Sequence, residues 1–197
     1  MIRKIIYGIY AIMGTMVMTV CSSRPDVNEI SLEKMQGFPT EDAGFLKGVS
    51  ALYAGVIDGN LLIAGGCNFP DIPAADGGKK VFYPDVYITS LSNDTAFKWK
   101  KIGQLPQAAA YGVTISTEKG LICVGGATAT HSLSDVFLLS LQKDVLKKDT
   151  LPSLPATIDN MAGALVGHSL YIVGGNVNGI PSSAVYMLDL SDLSEGW

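Results

Sequence analysis

Short apolar stretches alternate with polar, glycine-rich turns along this chain, and the alternation repeats. Three apolar runs end in paired glycines: LLIAGGCN from Leu61, LICVGGAT from Leu121 and LYIVGGNV from Leu170. A turn signal and another apolar stretch precede each run. Alternating stretches follow the runs, beginning at Asp85, Asp135 and Ala184. Short, alternating segments of this kind predict β-strands rather than helices, so we predict an all-β chain built from repeats.

One repeat unit is predicted to contain four strands. A tight turn joins the first strand to the second, which ends in Gly-Gly, and a rim loop leads to the third strand. A fourth strand closes the unit, and WKKIGQLP from Trp99 is its clearest example. A sheet of this size cannot bury both faces alone, so copies must stack, and radial stacking gives a β-propeller. Strands crowd near the axis of a propeller, where a side chain on either glycine would clash.

The stretch LLIAGGCNFPD, from Leu61 to Asp71, also suggests a phosphate cradle or a reactive thiol. A phosphate cradle needs a helix N-terminus after the glycines, and the sequence predicts no helix there. Cys67 aligns with Ala127 and Asn176 of the other units, so the repeat gives it no special role. Cys123 lies in an apolar predicted strand, and we expect it to be a buried free cysteine that packs as a small hydrophobic residue. An exported protein could pair these two thiols, but their spacing does not require it.

The motifs resemble kelch repeats: Gly-Gly at a strand end, a downstream strand with tyrosine and a Trp-led fourth strand. Residues 52–141 resemble, more narrowly, a cyclically permuted branch of the N-acetylneuraminate epimerases, or sialic-acid mutarotases. LLIAGGCNFPD, the long loop to Tyr83-Pro84-Asp85 and QLPQAAAYGV carry this resemblance. It implies a six-bladed propeller that interconverts anomers of N-acetylneuraminate or a related sugar, with no cofactor.

The blades are predicted at residues 49–106, 107–155 and 156–197, the last one incomplete. Residues 31–39 (SLEKMQGFP) align with FKWKKIGQLP and form a predicted orphan fourth strand, which in permuted propellers completes the last blade. We therefore expect about three four-stranded blades of six, in an incomplete ring, and interpret the chain as a fragment or an early-ended product. The alternative is a head-to-tail ring of two copies, and open blade faces predict self-association.

Residues 1–21 are predicted to be a signal peptide. Arg3 and Lys4 precede a charge-free apolar run from Ile5 to Val20, which at about 16 residues is short for a transmembrane anchor, the alternative. Cys21 lies where a bacterial lipoprotein carries its lipidated cysteine, or it is the last residue of a cleaved leader. A linker at residues 22–30 follows. We predict export to the periplasm or outer membrane of a Gram-negative bacterium, with membrane contact only through the lipid.

The net charge is -4, from 14 Lys and Arg against 18 Asp and Glu, with no basic cluster. Nucleic acid is therefore not expected as a partner, whereas a small-molecule sugar is. The spacing shows no metal-ligand cluster and no Ser/His/Asp or Cys/His arrangement, so no metal site is predicted.

Mutarotation needs a base for the anomeric hydroxyl proton and an acid for the ring oxygen. The resemblance implies a glutamate and an arginine on a later blade, which carries a glycine-glutamate loop with an arginine several residues further on. That loop does not occur in this sequence, and Ala109 stands where the family has an arginine before Ala-Tyr-Gly. The catalytic residues are therefore unknown, and the chain could be inactive by itself.

Candidate substrate-binding residues lie on rim loops and on the exits into first strands. They are Asn68, Phe69, His131, Asp159 and Asn160. Asn68 and Phe69 offer an amide and an apolar face, and Asp159 and Asn160 offer polar groups in a predicted channel-facing exit. Each residue also fits a structural role, in turn chemistry, core packing or a solvated loop.

Three functions compete: a mutarotase-like sugar isomerase, a non-catalytic kelch module that binds a glycan or protein, and a galactose-oxidase-like enzyme. The last needs a copper site made of tyrosine, histidine and cysteine, which the pattern does not show.

Overall fold

The computed structural model describes residues 34–91 and 96–197. The predicted signal peptide, Cys21, the linker and the first three residues of the orphan strand lie outside these ranges. Regular structure within them is β, apart from three single-turn 3-10 helices at Phe45–Lys47, Ala74–Asp76 and Leu193–Glu195. The prediction of an all-β chain is confirmed.

The first blade is a four-stranded antiparallel sheet. In chain order this part of the chain contains β1 (Tyr53–Ile57), β2 (Asn60–Ala64), β3 (Cys67–Asn68), β4 (Val81–Phe82), β5 (Asp85–Ser90) and β6 (Lys100–Gln104). The blade has the order β1-β2-β5-β6. Strands β3 and β4 pair with each other, so the long segment predicted as a rim loop contains a small hairpin.

The second blade is also four-stranded, and the third has three strands in the described residues. The second contains β7 (Val113–Thr117), β8 (Gly120–Val124), β9 (Val136–Gln142) and β10 (Val145–Thr150). These strands lie side by side in the order β7-β8-β9-β10. The third part contains β11 (Ile158–Asp159), β12 (Ala162–Val166), β13 (Ser169–Val173), β14 (Asn176–Val177), β15 (Ile180–Pro181) and β16 (Val185–Asp189). Its blade has the order β12-β13-β16, and β11, β14 and β15 form a separate small sheet.

The blades stack face to face through two apolar cores. Leu62 and Val86 of the first blade pack in one core with Leu121 and Leu139 of the second. The opposite face of the second blade, including Val124 and Val136, packs in a second core with Leu170, Ile172 and Leu188 of the third. First strands of neighbouring blades also contact each other, β1 with β7 and β7 with β12. The sheets therefore bury their faces by stacking, as the repeat predicts, and the fold is that of a kelch-type β-propeller. Within residues 34–91 and 96–197 the blades do not close into a ring.

The glycine pairs hold the boundary between blades. Gly65 and Gly125 both have positive φ, at 67° and 53°. A Cβ on Gly65 would lie 2.3 Å from the Ala109 carbonyl oxygen, and one on Gly125 would lie 2.5 Å from that of Ile158. These oxygens belong to the next blade and accept hydrogen bonds from the second glycine of each pair, at 2.8 Å in both cases. The backbone role predicted for the glycines is confirmed, and it extends across the blade boundary.

The outer face of the third blade carries apolar side chains at positions that the second blade buries. Val124 and Val136 are fully buried, whereas Val173 and Val185, which follow the same register, are 45% and 61% exposed. Self-association through this face stays a prediction.

The described part of the predicted orphan strand lies against the first blade. Gln36 forms a parallel bridge with Ala96, and the Trp99 indole donates to the Gly37 carbonyl oxygen at 3.2 Å. Its assignment to a last blade stays a prediction. None of the helices within residues 34–91 and 96–197 has the length and hydropathy of a transmembrane segment.

Candidate functional site

The rim loops and the exits into the first strands lie at the same end of the sheets. We call this end the rim face, which comprises residues 44–52, 67–84, 107–112, 127–134, 155–161 and 176–183. In each blade an exit residue pairs with the residue that follows the glycine pair. The pairs are Ser50 with Cys67, Ala110 with Ala127, and Asp159 with Asn176. The exits and loops predicted as site-forming are therefore held together in every blade.

Three residues with a left-handed backbone conformation form a row across the rim face. Ala51, Tyr111 and Asn160 occupy equivalent repeat positions, with φ of 55°, 65° and 54°. The Tyr111 amide donates to the Ala51 carbonyl oxygen, and the Asn160 amide donates to that of Tyr111, each at 2.9 Å. A bulky residue such as tyrosine rarely adopts this conformation, and strained positions of this kind cluster at functional sites.

The Tyr111 hydroxyl is the centre of a polar cluster between the first two blades. Lys80, from the long insertion, donates to it at 2.8 Å, and the Cys67 thiol donates to it at 3.3 Å. The Lys80 ammonium also lies 5.5 Å from the centre of the Phe69 ring. The hydrogen bond with Tyr111 raises the pKa of Lys80, which keeps its side chain cationic.

Asp159 is the centre of a second cluster, between the second and third blades. It is buried, and it accepts hydrogen bonds from Ser132, from Asn160 at 2.6 Å and from Asn176 at 2.8 Å. Burial alone would raise the pKa of Asp159, but these hydrogen bonds outweigh it and hold the pKa below the usual value. The carboxylate is therefore ionised at neutral pH.

The side chain of Asn68 makes its hydrogen bonds within the rim face. Its amide donates to the carbonyl oxygens of Gly44 at 2.8 Å and Gly48 at 2.7 Å, and its oxygen accepts from the Tyr83 hydroxyl at 2.8 Å. Only one acceptor lone pair is left for a ligand. Phe69 is half-buried, and the centre of its ring lies 5.5 Å from the Lys80 ammonium.

His131 lies on an exposed turn. Its Nδ1 is 3.1 Å and 3.0 Å from the hydroxyl oxygens of Thr128 and Thr130. The ring is therefore engaged within its own loop. Of the five candidate residues, the structure brings Asp159 and Asn160 into one cluster and places Phe69 at the other, while substrate binding by all five stays a prediction.

Sequence reasoning missed Lys80, Tyr111, Ser132 and Asn176. The sequence does carry a signal for Tyr111, because the repeat aligns it with the candidate Asn160. Lys80 lies in an insertion without a counterpart in the other units. No group of three or more metal-ligating side chains occurs in the part of the chain that the structure describes.

The family model for N-acetylneuraminate epimerase matches residues 14–147. The chain belongs to this family. Among curated N-acetylneuraminate epimerases, the protein from Escherichia coli O6:H1 is 30% identical over 149 residues, 71% of this chain and 39% of that protein. The Vibrio vulnificus epimerase is 31% identical over 103 residues, and the Brucella suis epimerase is 37% identical over 98 residues. These alignments cover 50% and 47% of this chain, and 27% and 25% of the two relatives.

The solved structure of YjhT resembles this epimerase-family chain with a TM-score of 0.51 and 26% identity, over 62% of this chain and 35% of YjhT. Each of these alignments covers less than half of the known protein's length.

Proposed function

We propose that this chain belongs to a sugar isomerase that interconverts the anomers of N-acetylneuraminate or a related sugar, and that its rim face contributes the substrate-binding part of the site. The observation that carries the proposal is the continuity of the two polar clusters. The Asn160 amide donates to the Tyr111 carbonyl oxygen at 2.9 Å, so the two clusters adjoin on the rim face. One presents the exposed Lys80 ammonium beside the Phe69 ring, and the other holds the buried Asp159 carboxylate.

The groups of this surface suit a sugar acid. The Phe69 ring offers an apolar face to the sugar, and amide and hydroxyl groups offer hydrogen bonds to its hydroxyls. Anomer exchange requires removal of the proton from the anomeric hydroxyl and protonation of the ring oxygen, followed by closure onto the other face of the carbonyl. We assign no described residue to either proton transfer, so the described blades serve binding and orientation.

A specific observation favours a second candidate, a non-catalytic module that binds a glycan or protein. Asp159, the buried carboxylate of the rim face, receives three hydrogen bonds that hold its pKa low. A carboxylate stabilised in this way is a weak base, which suits a binding role better than proton abstraction.

Anomer exchange measured by NMR distinguishes these candidates. The isomerase proposal predicts that catalytic amounts of the purified chain accelerate exchange between the α and β signals of N-acetylneuraminate above the buffer rate. Ligand broadening without accelerated exchange would support the binding module. Neither effect would reject both for this chain.

We also propose export through residues 1–21, with lipidation at Cys21 and anchoring in the periplasm or outer membrane. The support is the charged, then apolar, then polar order of the N-terminal sequence. Palmitate labelling of the expressed chain is expected, and Cys21→Ser is expected to abolish it. Labelling that survives the substitution would reject this site.

The exposed apolar face of the third blade supports a proposal of self-association, in which Val173 and Val185 lie in the contact between copies. The expected result in sedimentation is a concentration-dependent increase in mass that Val185→Lys removes. A monomer at all concentrations would contradict it.

A further inference from the structure

We propose that Lys80 and Tyr111 form a carboxylate-binding subsite for the acid group of the sugar. This subsite rests on the proposed function, since it specifies which end of the substrate the first two blades hold.

Two hydrogen-bond donors converge at this point of the rim face. Tyr111 Oη accepts from Lys80 Nζ at 2.8 Å and from Cys67 Sγ at 3.3 Å. Both of its lone pairs are thereby used, so its own proton is directed away from these partners and can be donated. Lys80 uses one of its three N–H bonds in this contact. The pair therefore presents a phenol O–H and an ammonium N–H side by side, which matches the two oxygens of a carboxylate.

The charge of Lys80 is not neutralised by a side chain within the described residues. The ion pair found there joins Lys101 to Asp85 at 2.8 Å, between strands β6 and β5 of the first blade. Lys80 itself is exposed, so an anion from solution can reach it. Its neighbour Phe69 lies 5.5 Å from Nζ, and an apolar ring beside the ammonium reduces its hydration and favours contact with an organic anion.

The position of Tyr111 is fixed by the backbone. Its strained φ of 65° is held by one hydrogen bond to the first blade, through its amide, and one from the third blade, through its carbonyl oxygen. Lys80 reaches the same hydroxyl from a separate loop. A preformed pair of donors loses less entropy on binding than two mobile side chains would.

The test compares N-acetylneuraminate with its neutral methyl ester, using dissociation constants of the full chain measured by NMR titration. The wild type is expected to bind the acid on the order of tenfold more tightly than the ester. Lys80→Met is expected to remove this preference, and Lys80→Arg to restore most of it. Lys119→Met, which removes an exposed lysine of the β7–β8 turn, is the matched control and is expected to keep it.

Two further measurements sharpen the result. Tyr111→Phe is expected to reduce the acid preference and leave part of it, because the ammonium remains. Raising the salt concentration is expected to weaken binding of the acid and leave binding of the ester unchanged.

The outcomes separate this inference from the proposed function. Equal affinity of the wild type for acid and ester, or a Lys80→Met variant that keeps the preference, overturns the subsite while sugar binding stands. A wild type that binds neither compound overturns the subsite and the proposed function together.

Discussion

The hydroxyl of Tyr53 donates a hydrogen bond to the carbonyl oxygen of Gly125 at 2.6 Å, across 72 residues of chain. Tyr53 begins the first strand of the first blade, and Gly125 is the first glycine of the second blade's pair. The side chain is buried, and its burial raises the pKa of Tyr53 well above the usual range. One neutral phenol therefore joins two blades at the point where they converge.

Tyr53→Phe tests this tie. We expect it to lower the free energy of unfolding by about 1–2 kcal/mol, because the buried Gly125 oxygen loses its donor while the ring still fills its place. Urea unfolding measures the change. Tyr171→Phe is the control, since the hydroxyl of this half-buried tyrosine makes no hydrogen bond within the described residues. Equal losses in both variants would mean that the bond to Gly125 contributes nothing.

Gly125→Ala and Gly174→Ala form a matched pair. Both glycines occupy the first position of a pair and have similar positive φ, at 53° and 67°. An added Cβ meets the Ile158 carbonyl oxygen at 2.5 Å in the first case and nothing closer than 3.6 Å in the second. Both variants are expected to lose about 1–2 kcal/mol from backbone strain. Gly125→Ala is expected to lose about 1–3 kcal/mol more from the clash between blades.

Chemical denaturation of the two variants gives the comparison directly. If Gly174→Ala is destabilised as much as Gly125→Ala, the positive φ alone requires glycine at these positions. The close contact across the blade boundary then adds nothing to that requirement.

Asp159 predicts a specific dependence of stability on pH. Its folded pKa lies below that of an unfolded aspartate, about 3.9. The ionised form therefore stabilises the fold fully above about pH 4, and this contribution is lost as the pH falls through the lower folded value. We expect the stability difference between wild type and Asp159→Asn to be largest near neutral pH and to shrink below pH about 4.

Thermal melts from pH 7 to pH 2 measure this difference. Asp144→Asn changes an exposed turn residue that can keep its positive φ as asparagine, and its difference from wild type is expected to stay small throughout. A constant difference for Asp159→Asn across the range would show that the hydrogen bonds do not favour the charged form.

The two thiols of the described blades are expected to be unreactive. Cys67 and Cys123 are free and buried, and burial raises the pKa of Cys123 far above the usual value. A thiolate is the reactive form. In a Cys21→Ser chain, which leaves only these two, Ellman's reagent is expected to react slowly in buffer and with both thiols in denaturant. Rapid reaction of one thiol in buffer would contradict the packing described for it.

The repeated pattern of apolar runs and glycine pairs was sufficient to predict the strands and their stacking, since both follow from local alternation and from the need to bury two faces. It could not predict the rim clusters. Lys80 reaches Tyr111 from a loop that only the first unit has, so no repeat alignment brings the two together. Asn68 is a binding candidate because of its amide, but in the structure this amide donates hydrogen bonds to Gly44 and Gly48 of the rim face. The partners of a polar side chain depend on loop conformation, which periodicity does not encode.

The most direct test of the rim-face site is a two-dimensional amide NMR titration of the chain with N-acetylneuraminate. Chemical-shift changes are expected to concentrate at residues 67–84, 107–112 and 155–161, around Lys80, Tyr111 and Asn160. The turns at Lys119, Lys143 and Gly167, on the opposite end of the sheets, are predicted to stay unchanged. Shifts confined to those turns or to the open face around Val173 and Val185, or no shifts at millimolar sugar, would contradict the rim-face site.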